Sequence, residues 1–152
     1  MNIFNPDFVD FINALNQNKV AYLLVGGYAV IIRGYSRSTG DMDIWVHKTP
    51  ENYILLQKAI QQFGLPEKAL PKDLFFSEDY DVFTFGRPPL AIEIMTQLKG
   101  VVFEEAFAKS SIEDSDGIGV RVIHINQLIQ AKKAAGRYKD LNDIENLPPV
   151  DE

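Results

Sequence analysis

The sequence predicts an α/β (α+β) fold: a small mixed β-sheet flanked by helices, with a helical tail at the C-terminal end. Short apolar runs bounded by turn residues, such as 20–25 and 82–85, have the length and composition of buried strands. Residues 8–15 instead repeat their apolar positions at helical spacing. The connection between the runs 82–85 and 90–95 is too short for a crossover, which predicts an antiparallel pair.

Chain length and composition predict a single domain over residues 1–152, with a core of about 20–123 and a tail of about 126–147. At 152 residues the chain is long enough to bury a real hydrophobic core. Its hydrophobic fraction of 46% and charged fraction of 24% are ordinary for a soluble globular protein.

Several features of the composition limit the cellular setting. Cysteine is absent, so the chain has no disulfide framework and no thiolate metal site. No apolar run approaches the roughly 20 residues that a membrane helix needs. Residues 1–10 lack the basic start and the apolar stretch of a signal peptide. We therefore expect a cytoplasmic protein that has no membrane partner.

The net charge argues against general nucleic-acid binding. It is −6, from 15 basic and 21 acidic residues. Non-specific nucleic-acid binders usually carry a basic face, because neutralising phosphates supplies their affinity. A small substrate, or one specific macromolecule, is the expected partner.

The predicted elements follow one another with short connections. In chain order they are helix 5–15, strand 20–25, helix 28–33, loop 34–40, strand 41–46, helix 49–63, an irregular segment 65–81 with a short helix near 71–75, strand 82–85, a turn at 86–89, strand 90–95, helix 101–109, a strand region 112–123 interrupted by a turn at 115–117, helix 126–135 and a short helix near 141–147.

Capping residues mark the helix ends. Asn5 or Asp7 is placed to cap the first helix, and Thr49, followed by proline, opens the third. Asn126 is expected to cap the helix that Gly136 closes. Spacing predicts the apolar sides of these helices: Phe8, Phe11, Ile12 and Leu15; Tyr53, Ile54, Leu56, Ile60 and Phe63; Leu128, Ala131 and Ala135; Leu141, Ile144 and Leu147.

A glycine pair follows the first strand. Gly26 and Gly27 allow a tight turn and bring bare amide groups close to whatever lies above them. A helix over residues 28–33 would point its first N–H groups at an anion. The sequence therefore predicts a turn that can accept phosphate.

Two acids lie on the next strand, after a polar loop that carries Arg37 and Thr39. Asp41 and Asp43 are two residues apart, so they share one face of the strand at a spacing of roughly 6.5–7 Å. Two carboxylates on one face can hold a hard cation such as Mg²⁺. An edge strand with solvated acids after an ordinary glycine turn fits the local sequence equally well.

Glu93 is an acid inside an otherwise apolar strand. A carboxylate is costly to bury unless it is paired or bound to metal. The other interpretation is a strand with one wet face, on which Glu93 contacts water.

Taken together, these motifs resemble the nucleotidyltransferase superfamily typified by DNA polymerase β, in its small bacterial branch. The elements are Gly26-Gly27, the Asp41-Met42-Asp43 strand and Glu93 in LAIEIM. The segment RSTGDMD resembles the Arg-x-Thr-x-Asp-x-Asp version of that branch, and NQLIQAKKAAGRYKDLNDIENL is similar to its helical tail. The chain differs in having Gly-Gly where many catalytic members have Gly-Ser, and Glu where the third acid is commonly Asp.

The resemblance implies a metal-dependent transfer reaction. Asp41 and Asp43 would bind Mg²⁺, two ions in the family pattern with Mn²⁺ as an alternative, and Glu93 would complete the second metal site or take a proton from an acceptor hydroxyl. Gly26 and Gly27 would cradle the phosphates of a nucleoside triphosphate.

Three further residues have expected roles near this site. A phosphate contact or a surface ion pair fits Arg37, which belongs with Thr39 among the candidate nucleotide-binding residues. Lys132, four residues after Leu128, could reach the triphosphate from the tail. Asp140 is most simply a cap for the last helix, and Arg137 is expected to be solvated or to serve a helix C-terminus.

Three functional hypotheses follow. The chain is an active nucleotidyltransferase with an unknown acceptor, which is a small molecule, a protein or an RNA end. Alternatively it is an inactive descendant that binds nucleotide or a partner protein in a two-protein bacterial defence or toxin–antitoxin system. The third hypothesis is an unrelated α/β binding domain with incidental acids. Because so small a chain leaves little room for an acceptor domain, a homodimer or a partner protein could complete the site.

Overall fold

The computed structural model describes residues 4–86, 91–115 and 117–148. Within these residues the strands form one mixed sheet in the order β3-β4-β2-β1-β6-β5. Their bounds are β1 Tyr22–Val25, β2 Met42–Val46, β3 Val82–Phe85, β4 Ile92–Met95, β5 Ser111–Ser115 and β6 Ile118–Val122. The predicted turn at 86–89 falls largely outside the described residues, and so does Asp116 in the turn at 115–117.

Parallel and antiparallel pairings alternate across the sheet, which confirms the predicted mixed sheet. β1 is antiparallel to β2 and parallel to β6, and β2 is parallel to β4. The edges are antiparallel hairpins, β3 with β4 and β5 with β6. The short connection between β3 and β4 permits only the antiparallel arrangement.

Helices pack around this sheet. They are α1 Pro6–Gln17, α2 Gly26–Ile32, α3 Pro50–Phe63, α4 Lys72–Phe75, α5 Phe103–Lys109, α6 Ile125–Ala135 and α7 Tyr138–Asn146, with a 3₁₀ turn at Glu67–Ala69. Asn5 caps α1 by accepting the N–H of Phe8, and Thr49 caps α3 by accepting the N–H of Asn52. No helix of the described residues is long and apolar enough to cross a membrane.

One apolar position predicted for α3 is wrong. Ile54 is 58% exposed, whereas Tyr53, Leu56 and Ile60 are buried. These three positions lie at i, i+3 and i+7, and Ile54 is one residue, or about 100°, beyond Tyr53 around the helix. It therefore faces solvent.

The start of α6 also differs from the prediction. His124, not Asn126, is the N-cap, because its Nδ1 accepts the N–H of Asn126 at 3.0 Å. The helix begins at Ile125, which is buried, as are Leu128 and Ala131. Ala135 is exposed. Gly136 ends the helix in the left-handed conformation, with φ of 67°, as predicted.

The inward face of α7 is charged rather than apolar. Its buried residues are Asp140 and Asp143, while Leu141, predicted for the apolar side, is 46% exposed. Leu147, just beyond the helix, is buried. Ile144 is half-buried, so the predicted apolar side is wrong only at Leu141. Asp140 and Asp143 are buried because cations from α6 and from the loop before β2 lie against them.

Strand β2 separates the core from the candidate site. Met42, Ile44 and Val46 are fully buried, as the alternation predicts. On the other face the strand carries Asp43 and then Trp45, which is 2% exposed and packs edge-to-face on Phe103 of α5. One end of this face is therefore sealed by α5.

Candidate active site

Gly26 forms the turn at the end of β1. Its φ of 66° lies in the left-handed region, which favours glycine. A Cβ atom at this position would also overlap the carboxyl group of Asp43. The turn therefore brings the backbone directly against that carboxyl group, and only glycine permits the approach.

Asp43 and Glu93 face each other across the parallel strands β2 and β4. They are register partners, and their carboxyl groups are within hydrogen-bonding distance. Oδ1 of Asp43 is buried and has no hydrogen-bond partner in the part of the chain that the structure describes. Burial, and then the hydrogen bond and charge of Glu93, raise the pKa of Asp43 to about 8. The two carboxyl groups therefore need a proton or a cation between them.

Asp41 lies immediately before β2 and adds to this negative field. Its charge contributes to the raised pKa of Asp43. The pKa of Tyr28 is raised as well, chiefly by burial of Tyr28 and then by the charge of Asp41. Over residues 4–86, 91–115 and 117–148, no three His, Cys, Asp or Glu side chains gather closely enough to hold a metal by themselves. Because Mg²⁺ usually binds one or two carboxylates together with substrate phosphates, such a cluster is not required.

Thr39 packs against the first turn of α2. A Cβ atom at Gly27 would overlap the Thr39 side chain and lie 3.3 Å from Nη1 of Arg37. The space that a serine side chain would need at position 27 is therefore filled by Thr39. This contact gives a physical reason for Gly-Gly in this chain.

A small cavity of about 110 Å³ opens beside the Asp43 carboxyl group. Its polar wall comprises Gly26, Asp43, Lys132, Arg137 and Asp140. The opposite wall is apolar and consists of Val25, Met95, Leu98, Leu128, Ala131 and Ala135. The glycine turn, one strand acid and the tail helices thus meet at one place.

Lys132 lies between the two buried acids of α7. Its Nζ is 3.2 Å from Oδ1 of Asp140 and 3.1 Å from Oδ2 of Asp143, and the residue is only 8% exposed. An ammonium group has three N–H donors, so two ion pairs leave one donor for a ligand. Lys132 is therefore held at the cavity, and its predicted contact with a triphosphate stays a prediction.

Asp140 does more than cap α7. It accepts the backbone N–H of Arg137, as predicted, and it also pairs with the side chains of Lys132 and Arg137. These hydrogen bonds and charges outweigh its burial and keep its pKa below the ordinary value. The side chain of Arg137 is 63% exposed, which confirms the expectation that it is solvated, and its guanidinium also binds Asp140 and lines the cavity.

Arg37 forms an ion pair rather than lying free in the loop. Its Nε and Nη2 donate to the two carboxylate oxygens of Asp143 at 2.7 and 2.9 Å. This two-point geometry is the strong form of an arginine–carboxylate contact. Of the two roles that the sequence left open for Arg37, the structure shows an ion pair, with a partner that is 1% exposed.

Sequence reasoning missed Asp143. It lies three residues after Asp140 on a helix, so the two acids share one face, and that spacing was the available signal. Its partner Arg37 is 106 residues away in the chain, and nothing in the sequence announces the pairing.

The donor atoms present fit Mg²⁺. Carboxylate oxygens are ligands that Mg²⁺ prefers, and Oδ1 of Asp43 is buried with no hydrogen-bond partner among the described residues. A cation at this place would also offset the repulsion between the carboxylates of Asp43 and Glu93. Asp43 and Glu93 are therefore the best-placed ligands, and Asp41 precedes Asp43 by two residues.

Comparison with solved structures identifies the fold. The chain matches TM1012, a candidate nucleotidyltransferase from Thermotoga maritima, with a TM-score of 0.64 at 14% identity over 95% of this chain and 94% of that one. It also matches the lincosamide antibiotic adenylyltransferase LnuA, solved with lincomycin bound, with a TM-score of 0.57 at 17% identity over 97% and 98% of the two chains. The chain has the nucleotidyltransferase fold.

Other comparisons add nothing to this result, since no protein-family model and no curated protein sequence matches the chain. The nucleotidyltransferase fold confirms the resemblance drawn from the glycine pair and the acids. Because both identities are low, the comparison concerns the fold.

Proposed function

We propose that this chain is a metal-dependent nucleotidyltransferase, which moves a nucleoside monophosphate from a nucleoside triphosphate to a hydroxyl group of an acceptor. The observation that carries the proposal is the carboxyl pair of Asp43 and Glu93 above the Gly26 turn, with one buried oxygen of Asp43 that has no hydrogen-bond partner among the described residues. Two carboxyl groups in contact need a proton or a cation between them.

The surrounding residues suit a triphosphate. The amide groups of Gly26 and Gly27 lie at the start of α2, and the side chains of Lys132 and Arg137 form the other side of the cavity. Phosphate oxygens would thus accept hydrogen bonds from backbone and from cations. Arg37 would act through the position of its loop, since its guanidinium already binds Asp143.

In the proposed reaction the acceptor hydroxyl attacks the α-phosphorus. A new P–O bond forms while the bond from the α-phosphorus to the bridging oxygen breaks, and pyrophosphate leaves with the electron pair. Glu93 takes the hydroxyl proton. Mg²⁺, as one ion or two, or Mn²⁺ in its place, would be held by Asp41 and Asp43 together with the triphosphate, with Glu93 as a ligand of a second ion where it does not serve as the base, and would offset the charge that builds up on the phosphoryl oxygens.

The size of the fold neighbours supports a reaction within a chain of this length. LnuA is named for adenylyl transfer to a lincosamide antibiotic, and the match spans 97% of this chain and 98% of LnuA. A separate acceptor domain is therefore not a necessary part of the proposal. A small molecule, a protein or an RNA end remain the candidate acceptors, and a homodimer or a partner protein could contribute to their binding.

The experiment is a calorimetric titration of the protein with ATP, GTP, CTP and UTP, each with and without Mg²⁺. The wild type and Asp43→Asn are compared, with the exposed Asp10→Asn in α1 as a matched control. We expect binding that depends on Mg²⁺ and is lost only in Asp43→Asn. No binding by the wild type would overturn the proposal.

Release of pyrophosphate separates the active enzyme from the alternative. Binding that depends on Mg²⁺ but gives no pyrophosphate with any acceptor class would favour a catalytically inactive nucleotide- or partner-binding protein of a two-protein defence or toxin–antitoxin system. Pyrophosphate release that stops in Glu93→Gln, with nucleotide binding retained, would support the proton role of Glu93.

A further inference from the structure

The loop between α2 and β2, residues 34–41, is held by the C-terminal helix. Arg37 binds both oxygens of Asp143 in α7. Asn142, the preceding residue of α7, donates from Nδ2 to the hydroxyl group of Tyr35 at 3.1 Å. Two successive residues of α7 therefore contact two positions of the same loop.

This loop determines where two site residues lie. It carries Thr39, which packs against Gly27, and it ends at Asp41 immediately before β2. Asp43 is fixed by strand pairing, because it lies inside β2. Asp41 precedes the strand, so its position depends on the path of the loop.

Asp143 joins this loop to the cavity. It is 1% exposed and also forms an ion pair, at 3.1 Å, with Lys132, whose side chain lines the cavity beside Asp43. A buried carboxylate between two cations is tightly constrained, since the loss of either contact leaves a charge unpaired. Loop 34–41 and Lys132 thus share one buried partner.

Asp140 offers a natural comparison within the same helix. It is equally buried, at 1% exposed, and it also pairs with Lys132. Its second partner is Arg137, three residues earlier in the chain, rather than a residue of loop 34–41. The two acids therefore differ in which segment they hold.

We propose that Asp143 is a positioning residue of the active site, which acts through Arg37 to fix loop 34–41 and with it Asp41 and Thr39. Its effect on nucleotide binding rests on the proposed function, whereas its effect on the loop does not. In this arrangement the C-terminal helices are part of the site, because the loop that leads to the strand acids depends on them.

The first test measures the loop without any nucleotide. Amide hydrogen exchange by mass spectrometry is compared for peptides that cover 34–41 in the wild type, Asp143→Asn and Asp140→Asn. Removing the two-point contact should speed exchange on the order of ten-fold in Asp143→Asn. Asp140→Asn should leave exchange in this loop near wild type. Equal acceleration in both variants, or none in Asp143→Asn, would overturn the proposal.

The second test measures nucleotide affinity by calorimetry with Mg²⁺ and the best-bound triphosphate. Loss of a residue that orients metal ligands typically costs roughly 10- to 100-fold, and we expect this weakening in Asp143→Asn. Arg37→Lys keeps the charge but lacks the two-point geometry, so it should show much of the same loss. The double variant should lose little more than Asp143→Asn alone, because the contact between Arg37 and Asp143 is already broken in that variant. Additive losses would contradict the mechanism.

Failure of the proposal is distinguishable from failure of the proposed function. If the wild type binds no triphosphate, the nucleotidyltransferase proposal fails, and the exchange experiment still decides whether Asp143 fixes the loop. Each variant is first checked for cooperative unfolding. If Asp143→Asn does not fold, Arg37→Lys, which leaves the contacts between Lys132 and the two acids in place, carries both tests.

Discussion

The side chain of Thr39 occupies the space in which a side chain at position 27 would lie. Gly27 is in the first turn of α2, and Thr39 belongs to the loop that follows the helix. The two positions are therefore coupled by volume. A larger residue at one requires a smaller residue at the other.

This coupling predicts how Gly27→Ser and Thr39→Ala combine in their effect on the free energy of unfolding. Gly27→Ser alone should destabilise the protein by about 1–3 kcal/mol, because it forces atoms into a filled space. In the background of Thr39→Ala, the same serine should cost clearly less. Urea unfolding of the wild type, the two single variants and the double variant measures the coupling. Equal costs of Gly27→Ser in the two backgrounds would show that the space is not shared.

Asp43 should make the metal-free protein less stable as the pH rises. Its pKa is about 8 in the folded state and ordinarily 3.8, so between these values the folded state holds a proton that the unfolded chain has released. The stabilisation is fully present below 3.8 and is lost as the pH rises through about 8. At pH 8.5 Asp43→Asn should therefore be more stable than the wild type, on the order of 2 kcal/mol.

Urea unfolding in the presence of a chelator at pH 5.5 and 8.5 measures this effect. The difference between Asp43→Asn and the wild type should grow with pH. Asp10→Asn, which changes an exposed acid in α1, controls for the loss of one negative charge. If Asp10→Asn shows the same growth with pH, the effect belongs to net charge and not to burial of Asp43.

Protons should compete with Mg²⁺ at the same carboxyl pair. Because Asp43 must be ionised to bind the cation, affinity should rise by up to about ten-fold per pH unit below pH 8 and level off above it. Calorimetric titration with Mg²⁺ at pH 6.5, 7.5 and 8.5 measures the profile. Glu93→Gln removes the neighbouring charge, which lowers the pKa of Asp43 and should flatten the profile at the expense of affinity. A pH-independent affinity in the wild type would place the metal elsewhere.

Loss of the buried carboxylate of Asp143 should lower the free energy of unfolding far more than loss of the exposed carboxylate of Glu104. Asp143→Ala leaves Arg37 and Lys132 without their shared partner and should cost about 3–5 kcal/mol of unfolding free energy. Glu104 lies 3.7 Å from His47 but is 71% exposed, so Glu104→Ala should cost less than about 1 kcal/mol. Thermal and urea unfolding of both variants compare the two sites. Similar costs would mean that Lys132 and Arg37 find other partners.

Local patterns predicted the elements of this fold well, because strands and helix ends depend on neighbouring residues. Thr49 opens α3 and Gly136 ends α6 by contacts within a few residues, and the alternation of Met42, Ile44 and Val46 gives the buried face of β2. The order of the glycine pair and the acids also predicted the nucleotidyltransferase fold.

The charged network of the tail was not predictable in the same way. Arg37 and Asp143 are 106 residues apart in the chain. Lys132 is a buried residue of α6, on the same side as the buried Leu128 and Ala131. Apolar spacing placed Leu141 inside, whereas electrostatic pairing buries Asp140 and Asp143 instead. A buried ion network depends on which elements meet in space, and one sequence gives no measure of that.

Trp45 is a natural fluorescent probe close to the cavity beside Asp43. It is the single tryptophan of the chain, and it follows Asp43 by two residues, on the same face of β2. Its strand partner Met95 lines the cavity, and its indole ring is buried against Phe103. The fluorescence emission of this one ring therefore responds to changes next to the cavity, and it can follow ligand entry in real time without any attached dye.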